Sequence, residues 1–255
     1  MPDAKKPTAP KTPKTQHEVE PKRLFLLGKV TDKTFNWRKI SLKNGHSVQV
    51  SFPVRVAHVG TMQKNADGIY ELSHTYLFVP VTAAEQQAIC KLHGYIPLTR
   101  AVADQCLNDA KRSATYVPFQ GQYPHMADFE LFSALLESKG YGGNPQGWGY
   151  GAHKLWLLSR HPSKPDQGKG AVNYGFYGPP GSVRFGHPNL DAPTEIEQDL
   201  GGRHNDTHWD YSQLLQVMKE LKDKDGKSLD LRAELLAGNP AVWDEASKPQ
   251  AIDLP

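Results

Sequence analysis

The stretch "TYLFVPVTAAEQQAICKLHG" (Thr75–Gly94) holds the change on which the fold turns. Up to Val81 it is a run of aromatic and β-branched residues, the texture of a strand. From Thr82 the texture is helical. Threonine stands at the cap, Glu85 follows three residues on as in a capping box, and Gly94 supplies the stop.

Upstream of this boundary the chain reads as β-rich. "RLFLLGKV" is a continuous apolar run, while "RKISL" and "HSVQVSFPVRVAHVG" alternate with period two around a turn at Asn44–His46. Pro53 inside the second run predicts an edge position or a bulge. A further turn signal, "NADG" at Asn65–Gly68, precedes the strand that leads into Val81.

Downstream, "TRAVADQCLNDAKR" predicts a helix capped by Thr99. "MADFELFSALLESKG" predicts another, with Phe129, Phe132, Leu135 and Leu136 on one face. A glycine-dense loop, "YGGNPQGWGYGAHK", carries Trp148 and Tyr150. It leads to two strands, "KLWLLSRH" and "GAVNYGFYG". After an irregular stretch, "YSQLLQVMKELK" spaces Tyr211, Leu214, Leu215, Met218 and Leu221 as a helical stripe, and "LDLRAELLAG" predicts a last short helix.

The order of strands, helices, two strands and helices, without βαβ alternation, predicts an α+β fold. The expected form is an N-terminal antiparallel β-rich part followed by helices, a two-strand element and C-terminal helices around one core. Residues 1–22, rich in Pro, Lys and Thr, predict a disordered tail, with contact to an acidic partner as its sharper use. Residues 23–240 form one domain, β-rich over 23–81 and helical over 82–240, and residues 241–255 a C-terminal tail.

Composition narrows the function classes. The chain has 255 residues, 38% of them apolar, with 20 prolines and 22 glycines, which predicts long irregular loops on a compact scaffold. Lys and Arg number 30 against 27 Asp and Glu, so no general basic field draws the chain to nucleic acid. No apolar run is long enough for a membrane span. The N-terminal lysines are followed by no apolar core of a Sec signal, so the expected location is cytoplasmic, or outside by a signal-independent route. Cys90 and Cys106 fall in predicted helices and are expected as buried free thiols.

The richest chemistry lies in "GGRHNDTHWDYSQ" (Gly201–Gln213). His204, His208 and Asp210, spaced H-x3-H-x-D, form a donor set suited to zinc with a position left for water. Without a metal, His204 or His208 serves as general base oriented by Asp210. Against both stands Asp210 as the N-cap of the helix expected at Tyr211. Ser212, in the first turn of that helix, is the candidate nucleophile. His153 and Lys154, where the glycine-rich loop enters a strand, are the partner element, and His161 is a weaker one. Tyr174 and Tyr177 border Gly175, where a ligand or another backbone approaches closely.

Together these elements resemble a family of bacterial proteins that carry, in order, an "LPTR(K)-x-V-D-x-I" core, "GHKK", "YGWH" and "H-x5-D-Y-S-H-G". Here the matching positions are Thr99 and Arg100, His153 and Lys154, Tyr174 and Gly175, then His204, Asp210, Tyr211 and Ser212. The resemblance spans roughly residues 76–218 and favours His204 over His208. Two of the family's histidines are replaced, by Tyr177 and Gln213, and the resemblance itself implies no reaction.

The sequence therefore predicts a hydrolase acting on a bacterial cell-envelope polymer such as peptidoglycan or another glycan. Its catalytic residues are His153, Lys154, His204, Asp210 and Ser212, with zinc as the implied metal on His204, His208 and Asp210. Trp148, Tyr150, Tyr174 and Tyr177 would stack on sugar rings. A non-catalytic glycan- or protein-binding module is the first alternative, supported by the two replaced histidines. A metal-dependent nuclease toxin ranks last, for want of a basic surface.

Overall fold

The computed structural model describes residues 15–64, 70–109, 112–113, 129–138, 149–150, 153–160, 171–178, 195–201, 207, 209, 212–245, 247–250 and 254–255. In chain order the elements are α1 (Gln16–Leu27), β1 (Trp37–Ser41), β2 (Ser47–Ser51), β3 (Arg55–Lys64), β4 (Tyr70–Phe78), α2 (Ala83–His93), β5 (Ile96–Pro97) and α3 (Arg100–Asp109). They continue as β6 (Arg112–Ser113), α4 (Phe129–Ser138), β7 (Gly149–Tyr150), β8 (Lys154–Leu158), β9 (Ala171–Gly178), β10 (Glu195–Gly201), β11 (Val217–Lys222), β12 (Ser228–Leu229) and α5 (Leu231–Ala237). The fold class is α+β, as the order of sequence signals predicts.

The principal sheet runs β1-β2-β11-β12, with β5 also paired to β11. A second sheet runs β10-β9-β8, and β3 pairs with β4 as a long hairpin. These ladders are antiparallel, while the short β6–β7 pair is parallel. The β1–β2 turn is where "NGH" placed it, with Asn44 at φ 61° and Gly45 at φ 76°, the left-handed conformations this residue pair tolerates. Pro53 does more than mark an edge. It separates β2 from β3, and the chain leaves the principal sheet there for the β3–β4 hairpin.

Helix α2 follows the sequence closely. Thr82 and Glu85 form the reciprocal capping box, and Gly94 ends the helix at φ 71°. Cys90 in α2 and Cys106 in α3 are both buried free thiols. Asp230 caps α5 through Arg232 and Ala233 N–H groups at 2.9 and 3.2 Å.

Four expectations need correction. The first concerns the N-terminus. Residues 16–27, expected to divide between a tail and a strand, form α1. A second capping box, Thr15 with Glu18, starts this helix, and Val19, Arg23 and Leu26 are buried at helical spacing along one face. Pro21 removes one backbone donor, and burial of Val19 and Leu26 at about 1.5–3 kcal/mol each offsets the loss. Arg23 anchors the helix: its guanidinium bonds Glu85 of α2 at 2.8 Å on both nitrogens, Glu20, and the Pro80 carbonyl.

The second correction concerns "YSQLLQVMKELK". No helix forms. Ser212 lies in a turn, Gln213 and Leu214 make isolated bridges, and the chain then runs through residues 215 and 216 into β11, in the middle of the principal sheet. Leu214, Leu215, Val217, Met218 and Leu221 are all buried, but in three different clusters. A helix would turn its apolar stripe to one cluster. This chain passes between all three and needs apolar residues on both faces. A shift in the β11–β2 register between Lys219 and Lys222, with Glu220 at φ 52°, accompanies the burial of Leu221.

Third, the segment after 240 is not a free tail, since Ala241, Val242 and Trp243 join the largest core cluster. The carbonyl of Val242 accepts from Thr99 Oγ1 at 2.7 Å. Fourth, the expected two-strand element is a three-stranded sheet, because residues 195–201 form β10, which pairs with β9.

Candidate functional site

Strand β8, "KLWLL", is buried along its whole length. Leu155, Leu157 and Leu158 face one core cluster and Trp156 another, with the indole N–H donating to the Val81 carbonyl at 2.9 Å. Such a strand is a rigid support for whatever stands at its ends.

Three of the sequence elements meet at its N-terminal end. The Lys154 N–H donates to the Ser212 carbonyl at 2.8 Å, and the Leu214 N–H donates to the Lys154 carbonyl at 3.0 Å. Lys154 thereby bridges Gln213 in parallel register. On its other edge β8 pairs with β9, Lys154 opposite Gly175 and Leu155 opposite Tyr174. Asn173 in turn lies opposite Gly201, the last residue of β10 and the first of "GGRHNDTHWDYSQ". So "HK", "YG" and "SQ" are backbone neighbours, although His153 and Ser212 are far apart in sequence.

His153 stands just before β8 and is buried at 2% exposure. Its Nε2 lies 2.9 Å from Gln216 Oε1, and Gln216 Nε2 donates to the Ser51 carbonyl at 2.8 Å. Ser51 Oγ accepts from the Val217 N–H at 3.0 Å, which ties the network to β2 and β11. Burial pushes the His153 pKa down to about 4 against the weaker opposing effect of the Gln216 bond, so the ring is neutral at pH 7. Lys154, Ser212 and Gln213 are buried as well.

Gln216 was missed in the sequence reading. As a helical residue it would sit beside the apolar stripe, and only the extended conformation turns it toward His153. Residues 212–222 contain no helix, so Ser212 has no helix N-terminus to activate it. His161, Trp148, His204, His208, Asp210 and Tyr211 lie outside the described residues, and so does the expected zinc set. Tyr150 lies in β7, and Tyr174 and Tyr177 in β9.

Trp209, inside the motif, is buried and held by α1. Gln16 Nε2 donates to its carbonyl at 2.6 Å, and the Arg23 guanidinium lies 4.7 Å above its ring. The signal for this support is the Thr15–Glu18 capping box.

Thr99 and Arg100 are not part of this place. Leu158 N–H bonds Leu98 O at 2.9 Å, so they stand at the far end of β8, about 13 Å from Lys154 at ~3.3 Å per residue. There Arg100 Nε donates to Asp244 at 2.9 Å and holds the C-terminal segment. Among the described residues no helix is long and apolar enough to cross a membrane.

No protein-family model, curated protein or solved structure matches the chain.

Proposed function

We propose that the protein is a hydrolase of a bacterial cell-envelope polymer, peptidoglycan or another glycan. The observation that supports it is the meeting of "HK", "YG" and "SQ" at one end of a fully buried strand, from which the chain leads directly into "HNDTHWD". The resemblance to the bacterial family that carries these elements in the same order points to the same residues. In this reading His204, oriented by Asp210, takes a proton from water, the water oxygen bonds to one atom of the scissile bond, and the leaving atom on the other side departs with a proton given by a protonated group. Tyr174, Tyr177, Trp148 and Tyr150 furnish aromatic faces for sugar rings. In the metal-dependent form of the reading His204, His208 and Asp210 would instead hold zinc, which would supply a more acidic water, and His204 would then be a ligand and not the base.

A second reading is a non-catalytic binding module. Burial of His153, Lys154, Ser212 and Gln213 favours it, because a buried polar network also serves simply to specify a core. Incubation of purified sacculi with the full chain separates the two. Release of soluble fragments by the wild type, lost in His204→Ala, is expected of the hydrolase. Pelleting with sacculi without release is expected of the module. Elemental analysis of the same two proteins tests the zinc: a stoichiometric ion in the wild type that is absent from His204→Ala supports it, and none in either removes it.

A further inference from the structure

The hydrogen-bond directions around Gln216 determine the chemistry of His153. A backbone carbonyl only accepts, so the group of Gln216 that faces the Ser51 carbonyl at 2.8 Å is its NH2. The amide is thereby fixed, and the group that faces His153 at 2.9 Å is the amide oxygen. That oxygen also only accepts. The histidine nitrogen against it, Nε2, must therefore carry the hydrogen.

A neutral imidazole carries one hydrogen, so its other nitrogen has the lone pair. Reversing the amide would set two oxygens face to face at Ser51 and leave its NH2 toward the ring, at the cost of the Ser51 bond. Ser51 is held independently by the Val217 N–H on its hydroxyl at 3.0 Å, so the frame does not turn with the amide.

We propose that Gln216 is a positioning residue that locks His153 as the Nε2–H tautomer, so that Nδ1 of the buried ring is left as a hydrogen-bond and proton acceptor. The extension to catalysis rests on His153 belonging to the hydrolase site proposed above. One consequence is restrictive. A carboxylate such as Asp210 cannot orient the neutral ring at Nδ1, because both would be acceptors. The partner there is a donor: a hydroxyl, an N–H or a water. His153 is therefore not the histidine that a carboxylate would orient, but an acceptor fixed by an amide.

The test is long-range 1H–15N correlation NMR of the uniformly labelled full chain at pH 7, with the His153 ring assigned by its loss in His153→Gln. The wild type is expected to show protonated Nε2 and pyridine-like Nδ1. Gln216→Glu, whose carboxylic acid form donates to the Ser51 carbonyl and accepts from Nε2–H, is expected to retain that pattern. Gln216→Leu removes the acceptor and is expected to show Nδ1–H or a mixture. A wild-type ring protonated at Nδ1 would overturn the proposal, whether or not Gln216→Leu folds. So would a Gln216→Leu ring identical to the wild type in a protein with native circular dichroism.

Sacculus digestion is the separate arm. Loss of about 10-fold or more in Gln216→Leu, recovered in Gln216→Glu, is expected where His153 contributes part of a general-base effect of roughly 10²–10⁴. No release by the wild type would sink the hydrolase reading and leave the tautomer result standing.

Discussion

Acidification gives the sharpest test of the buried His153. In the unfolded chain an imidazole titrates near its ordinary 6.5, whereas in the fold burial depresses it to about 4. The unfolded state thus takes up the proton first, and stability falls as the pH drops. The contribution of His153 is complete above about pH 6.5, is lost progressively below that, and is exhausted near pH 4. The gap of about 2.5 pH units, at ~1.4 kcal/mol each, makes the full loss about 3 kcal/mol, most of it expressed by pH 4.5. His153→Gln is the proper comparison, because its NH2 can still donate to Gln216 while the titration is gone. Urea unfolding of both proteins at pH 7.5 and 4.5 isolates the effect, since the other titrating groups are common to the two. The wild type is expected to lose roughly 2–3 kcal/mol more than the variant. Equal losses would show that the ring is not held neutral by burial.

Other residues carry independent predictions. Arg23→Ala removes the cation between Glu20 and Glu85 and uncovers Trp209. Both carboxylates are partly exposed, so the expected loss is about 3 kcal/mol, the low end for a broken buried pair, measured by denaturant unfolding. Glu220→Gly relieves a left-handed residue in β11 and is expected to stabilise by about 1 kcal/mol, and a lowered unfolding midpoint would contradict the bulge geometry. Asp230→Ala removes the carboxylate oxygen that accepts the Arg232 and Ala233 N–H groups at the start of α5 and is expected to cost about 1 kcal/mol in the same assay.

What could be read from the sequence was local. The Thr82–Gly94 helix and the Asn44–Gly45 turn each depend on one or two residues whose chemistry admits few conformations. The errors share a different cause. "YSQLLQVMKELK" has apolar residues at helical spacing because it crosses three core clusters as a strand, and periodicity cannot separate those cases. The α1 helix was hidden by Pro21 and by the charged residues around it, although Thr15 and Glu18 announced its start. Strand β10, "EIEQDLG", carries few apolar residues, and its pairing with β9 is a long-range fact. At the candidate site, His153, Lys154 and Ser212 were noticeable as residue types, and the resemblance grouped them. Their adjacency depends on β8 lying between β9 and the extended chain before β11, which no local signal encodes. Gln216 was invisible for the same reason: its role exists only in the strand conformation.

The central claim is that elements distant in sequence make one working site at the N-terminal end of β8, and a dye-release assay on labelled sacculi tests it most directly. Wild-type protein is compared with His153→Gln, Tyr174→Ala and Asp210→Ala, one change in each element, and with Arg100→Ala at the far end of the strand. The account predicts that the first three lose release while Arg100→Ala, folded, retains it. Retention of release by those three variants, or equal loss in Arg100→Ala, would contradict it.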